Sequence, residues 1–145
     1  MSARTIIGDP VVPGESVGQV LNLERPLSFW GGVDPETGRV TDVHHPQHGV
    51  VVTGRVLVMP TGRGSSSSSS VLLECVRAGT APVALLVHHV DPILPVGAAV
   101  AIELYGRGPA VVRIDAGARL PDGAIARLTT SGVVTVDDST AGRRS

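Results

Sequence analysis

Lysine is absent from the 145 residues, and aromatic side chains nearly so, with one Phe, one Trp and one Tyr. A core without aromatics must be built from Val, Leu, Ile and Ala, and such a chain offers almost no surface on which bases could stack. The 12 basic residues, all arginine, are balanced by 13 acidic ones to a net charge of −1. The clustered basic excess of a phosphate-backbone binder is missing, so nucleic acid is not an expected partner. The lone cysteine, Cys75, excludes an internal disulfide and leaves too few thiolates to hold an iron–sulfur cluster. Any metal is therefore expected to be held mainly on another chain. No apolar run approaches the ~20 residues of a membrane span and no basic-plus-apolar leader is visible, so neither insertion nor secretion is expected and the expected location is cytoplasmic. Arginine without lysine, together with abundant Ala, Gly and Val, suggests a GC-rich bacterial genome.

What is present is a composition of 42% hydrophobic and 17% charged residues, that of one domain burying roughly 70% of its unfolded surface. Residues 1–9 and the tail 138–145, "DSTAGRRS", are polar or aperiodic and are expected to be loose, which leaves 10–137 as the folded part. Within it "ESVGQVLNL" reads as an early strand, and "DPETG" as a tight turn in a segment crowded with Pro and Gly. "GVVVTGRVLVMP" is β-branched and ends at proline, as a buried strand does. Val71, Leu72, Cys75 and Val76 then share one helix face, with Gly79 placed as a C-terminal cap. "APVALLV" follows as a second apolar run. Strand, helix and strand within about forty residues make a βαβ unit with parallel strands. "PVGAAVAIEL" reads as a short helix, "PAVVRI" as a strand, and "AIARLTTSGVVTV" as a hairpin turning at Ser131-Gly132. The expected class is α/β, with a parallel βαβ centre and antiparallel strands added around it.

Between the strand and the first helix lies "TGRGSSSSSS", residues 61–70. Six serines could form a solvated linker. Their position argues against it, because a crossover within one domain leaves only a few residues of loop. The other reading is an anion site: a Gly-rich turn entering a helix presents unpaired N–H groups at the positive end of the helix dipole. Gly62 and Gly64 would allow close backbone approach, and the serines would add hydroxyls. "GRGS" lacks the lysine of a P-loop.

"SFWGGVDPETGRVTDVHHPQHG", "VLVMPTGRGSSSSSS" and "APVALLVHHVDPILPVGAAVA", in this order, resemble the small subunit, or swivel domain, of aconitase X enzymes over roughly residues 10–137. The resemblance implies a swivelling β/β/α domain that packs on a larger catalytic subunit. It also implies an iron-dependent hydro-lyase acting on a small hydroxy acid, either cis-3-hydroxy-L-proline dehydratase in bacteria or phosphomevalonate dehydratase in archaea. The iron or iron–sulfur cluster would be held by the large subunit. In that family the serine directly after the second glycine of the "GxGS" loop is the proton acceptor, which here is Ser65. Its neighbours Arg63, Gly64 and Ser66 become candidates for contacting a substrate carboxylate. The bacterial composition favours the imino acid. Two rivals stand beside this reading: a non-enzymatic binding module of the same fold, and a phosphate-binding regulator that uses the helix start.

Other residues draw blander expectations. His44, His45 and His48, and the pair His88-His89, lack a clustered third Cys or acidic ligand and read as surface or turn histidines rather than a metal site. Cys75 reads as a small buried hydrophobe. Trp30, beside Phe29, reads as an anchor of the core or, narrowly preferred, of an interface.

Overall fold

The computed structural model describes residues 3–62 and 66–137. These form eight strands in one sheet and two helices: β1 (Ala3–Ile7), β2 (Asp9–Val12), β3 (Ser16–Asn22), β4 (Arg55–Met59), α1 (Ser67–Ala78), β5 (Ala84–Val87), α2 (Ile93–Tyr105), β6 (Ala110–Arg113), β7 (Ile125–Leu128) and β8 (Val133–Asp137). Strands β3, β4, β5 and β6 run parallel at the centre. Antiparallel β7, β8 and β1 extend one side, and antiparallel β2 the other, in the order β1-β8-β7-β3-β4-β5-β6-β2. The expected α/β class with a parallel βαβ centre is therefore present.

Residues 3–9, expected to be loose, are not. β1 pairs with β8 from Ala3↔Asp137 to Ile7↔Val133, and β2 pairs with β6 at the opposite edge of the sheet. A single residue, Gly8, separates the two strands, so the chain passes directly from one edge of the sheet to the other. The segment looks irregular in sequence because its partners lie more than a hundred residues away. Gly8 N–H donates to Gly132 O at 3.0 Å, and a Cβ on Gly8 would stand 2.5 Å from Val112 Cγ1 and 2.9 Å from Arg113 O. Only glycine fits this seam. Residues 1–2 and the tail 138–145 lie outside the described residues.

Alternation along the central strands sorts side chains into two cores. Val56, Val58, Ala84, Leu86, Ala110 and Val112 face one side of the parallel strands, where they meet Ala126, Leu128, Val134 and Val136 of the antiparallel side. Leu57, Met59, Leu85, Val87 and Val111 face the other way and meet Leu72 and Cys75 of α1 and Leu94 and Ala98 of α2. The long connection 23–54 closes this second core with Leu27, Phe29, Val40 and Val52, all fully buried. Its "DPETG" turn is present, with Thr37 and Gly38 N–H both donating to Asp34 O and Glu36 N–H to Asp34 Oδ1. The expected strand "GVVVTGRVLVMP" is shorter in the fold: Gly54, at φ +71°, turns the chain before Arg55, and only Arg55–Met59 is β4.

Candidate functional site

Because β3, β4 and β5 are parallel, the turns leaving them gather at one edge, where α/β sheets bind ligands. Both helices also begin there. From β3 comes the segment leading to Trp30, tied to the next strand's loop by a bridge between Leu27 and Gly62. From β4 comes Pro60-Thr61-Gly62 and the serine run. From β5 comes His88 to Asp91. His88 and His89 N–H both donate to Pro60 O, at 3.1 and 2.9 Å, which fixes the start of the serine loop against the neighbouring turn.

Arg63, Gly64 and Ser65 lie outside the described residues, so the structure frames them from both sides. On the entering side Gly62 is buried, and a Cβ there would meet Asp91 Oδ2 at 2.5 Å and Leu94 Cδ1 at 2.9 Å. On the leaving side Ser66 is exposed, takes the N-cap position of α1, and makes no side-chain capping bond. The first turn of α1 contains no acidic residue, so no carboxylate within it opposes an anion at the positive helix end. At α2 the N-cap, Pro92, also makes no side-chain capping bond, but Ile93 N–H donates to Asp91 Oδ1 at 2.8 Å. Asp91 was not among the residues singled out from sequence, although an acid two places before an apolar helix is a capping signal.

The serines do not behave alike. Ser66 and Ser67 are exposed, and Ser70 is as well. Ser68 is fully buried; its Oγ accepts from Trp30 N–H at 3.2 Å and lies 3.4 Å from Ser28 Oγ. Ser69 Oγ donates to Ile93 O at 2.5 Å and so joins the two helix starts. The end of the serine run is thus structural. The expected apolar face of α1 is present, and Ser68 belongs to it with Leu72, Cys75 and Val76.

Phe29 is a core residue, whereas Trp30, next to it, is 61% exposed with its backbone held by Ser68. His45 is buried in a turn: Gln47 N–H donates to its Nδ1, which leaves Nε2 to donate to Arg25 O. His44 and His48 are exposed. His88 Nε2 is buried without a hydrogen-bond partner, and burial holds its imidazole below the ordinary range, with His89, Arg113 and Arg119 adding to the effect. A cavity of about 390 Å³ opens at this edge between Asn22, Glu24, Pro60, His88 and Arg119. Another, of about 340 Å³, lies at the opposite end near Gly79 and Arg107, away from both helix starts.

The residues of this chain do not fit an iron–sulfur cluster. Cys75 is fully buried on the inner face of α1, where desolvation pushes its thiol up, away from the thiolate a cluster needs. No group of three His, Cys, Asp or Glu side chains among the described residues could hold a metal.

The family model described as the aconitase X swivel domain matches residues 5–139. The cis-3-hydroxy-L-proline dehydratase of Pseudomonas aeruginosa is 49% identical over 105 residues, covering 72% of this chain but only 18% of that protein. The phosphomevalonate dehydratase small subunit of Methanopyrus kandleri is 48% identical over 99 residues, covering 67% of this chain and 73% of that one. The crystal structure of Thermococcus kodakaraensis aconitase X in its holo form superposes with a TM-score of 0.83 at 33% identity, covering 92% of this chain and 98% of that one.

Proposed function

Because this chain belongs to the aconitase X swivel-domain family, we propose that it is the small subunit of a two-chain hydro-lyase that dehydrates cis-3-hydroxy-L-proline, with Ser65 as the base. The observation that supports the reading is where the serine run leads: it enters α1, whose N-cap Ser66 makes no side-chain capping bond, on the edge of the sheet where α/β folds bind ligands. Substrate preference rests on the 49% identity to the Pseudomonas dehydratase and on the arginine-only composition. Identity to the archaeal phosphomevalonate small subunit is almost as high, so mevalonate 5-phosphate is the rival substrate.

In this reading the oxygen of Ser65 takes the proton from the carbon beside the carboxylate. The C–H electron pair becomes the new C=C bond and the C–O bond of the neighbouring carbon breaks; the departing hydroxide takes up one proton to leave as water, and the proton gained by Ser65 is the one that must be given up before the next turnover. An alcohol needs help to act as a base. The end of α1 supplies at most about 2 kcal/mol toward its alkoxide, and loop N–H groups and Arg63 would add to it. The remainder, with the iron group that this chain's residues do not fit, falls to the partner chain, so the small chain alone is inactive. Arg63, Gly64 and Ser66 contact the substrate carboxylate. The described residues include no helix long and apolar enough to cross a membrane, and the assembly works in the cytoplasm.

The test is turnover of both substrates by the chain reconstituted with its larger partner. Ser65→Ala should lower the rate by about 10²–10⁴ while leaving melting and association unchanged. Turnover by the small chain alone, or a Ser65→Ala enzyme of near-normal rate, would sink the assignment. Preference for the phosphorylated compound would replace the substrate.

A further inference from the structure

The inner face of α2 is occupied, since Leu94, Gly97, Ala98 and Ala101 are buried against α1 and the sheet. Its outer face should then be polar, as in any helix at a protein surface. It is not. Val96, Val100 and Leu104 recur every four residues, so they form one stripe, and they are 53%, 37% and 64% exposed. Val90, in the turn that leads into α2, is exposed as well. Glu103 is the only charged residue in the thirteen of α2, and neither end turn carries a compensating charge. A helix apolar on both faces is the pattern of one buried on both faces, and a continuous exposed apolar strip marks an interaction surface.

The relatives indicate what covers it. This chain accounts for 18% of the Pseudomonas dehydratase, so the same domain there is accompanied by a much larger body. The start of α2 also lies at the site: Val90 adjoins Asp91, whose carboxylate stands beside Gly62, and Ile93 is bonded to Ser69.

We propose that the outer stripe of α2, formed by Val96, Val100 and Leu104 with Val90 in the turn before it, docks on a complementary apolar face of the larger chain. The proposal rests on the two-chain reading above. Its test measures association of this chain with the larger chain, comparing wild type, the double variant Val96→Glu/Leu104→Glu, and Arg77→Glu on the exposed face of α1. The double variant should raise Kd by roughly thirtyfold or more, as loss of an interface anchor does, while Arg77→Glu leaves it unchanged. Melting of each isolated chain should stay near wild type because all these positions are exposed. If the double variant melts early, Val100→Ser provides the milder version and should raise Kd by about fivefold or more. A double variant that folds and binds as tightly as wild type overturns the surface but leaves the two-chain reading standing. Failure of the wild-type chains to associate overturns the occupant and that reading together. Self-association of the isolated chain, abolished by the double variant in sedimentation, overturns the proposal in favour of a second copy of this chain.

Discussion

Helices α1 and α2 occupy equivalent places: each leaves a parallel strand at the same edge, packs on the same face of the sheet and ends in a left-handed glycine, Gly79 or Gly106. Their surfaces are nevertheless opposite in character. α1 is amphipathic, with Ser67, Ser70 and Arg77 exposed, and its start is uncapped by its N-cap side chain. α2 is apolar outside as well as inside, and at its start Asp91 accepts from Ile93 N–H. Topology put both helix dipoles at one edge; composition divided the work between them. The serine run enters α1, and α2 offers the apolar flank.

The largest effect expected of this division is a dominant one. Ser65→Ala chain should still occupy the larger partner, so a tenfold excess over wild type should leave about a tenth of the turnover by mass action. The same excess of Ser65→Ala carrying Val96→Glu/Leu104→Glu should leave turnover nearly intact. Equal inhibition by the two would erase the distinction between the helices.

A smaller effect comes from where they touch. A Cβ on Gly97 would lie 3.1 Å from both Cα and O of Ser69, so Gly97→Val should force the helix starts apart at about 1–3 kcal/mol, read in urea or thermal melting. Smaller again is Ser68→Ala, which strands Trp30 N–H and should cost about 1 kcal/mol. Ser70→Ala, at an exposed site, should stay within about 0.5 kcal/mol. Fluorescence of the single tryptophan should shift in the first variant and not in the second.

The smallest effect is pH dependence on the neighbouring turn. The folded-state value of His88 lies below 6.5 because of burial first, then His89, Arg113 and Arg119. As pH falls below 6.5, the unfolded chain takes up its proton before the folded one, so stability drops through the window down to the lowered folded value and is flat above it. His88→Gln should flatten that slope in melts between about pH 5 and 7.

The centre of the fold was readable because its signals are local: β4, α1, β5, α2 and β6 are each marked by an apolar run, a helical face or a terminal glycine. β1 and β2 were not, since ARTII and DPVV become strands only through distant partners. Ser68 was legible in principle, lying four residues before Leu72 on the buried face, but the monotony of the run concealed it. Ser65 was singled out through family resemblance, not through any local pattern, because a serine after glycine has no periodic signature. The apolar outside of α2 was in plain view in "PVGAAVAIEL", yet sequence alone does not tell an inner face from an outer one.

The seam at Gly8 also governs the order of folding. Ala3 pairs with Asp137 and Asp9 with Arg113, so both strands flanking Gly8 find their partners a hundred or more residues later in the chain. At roughly 5–20 residues per second, the amino-terminal strands wait on the order of ten seconds for their partners. Contacts of such sequence separation form slowly, and during that interval the edges of β1 and β2 stay open to other chains. Nascent chains should therefore be most vulnerable to aggregation before β8 has been made, and a variant that lacks β8 should leave β1 without its partner strand.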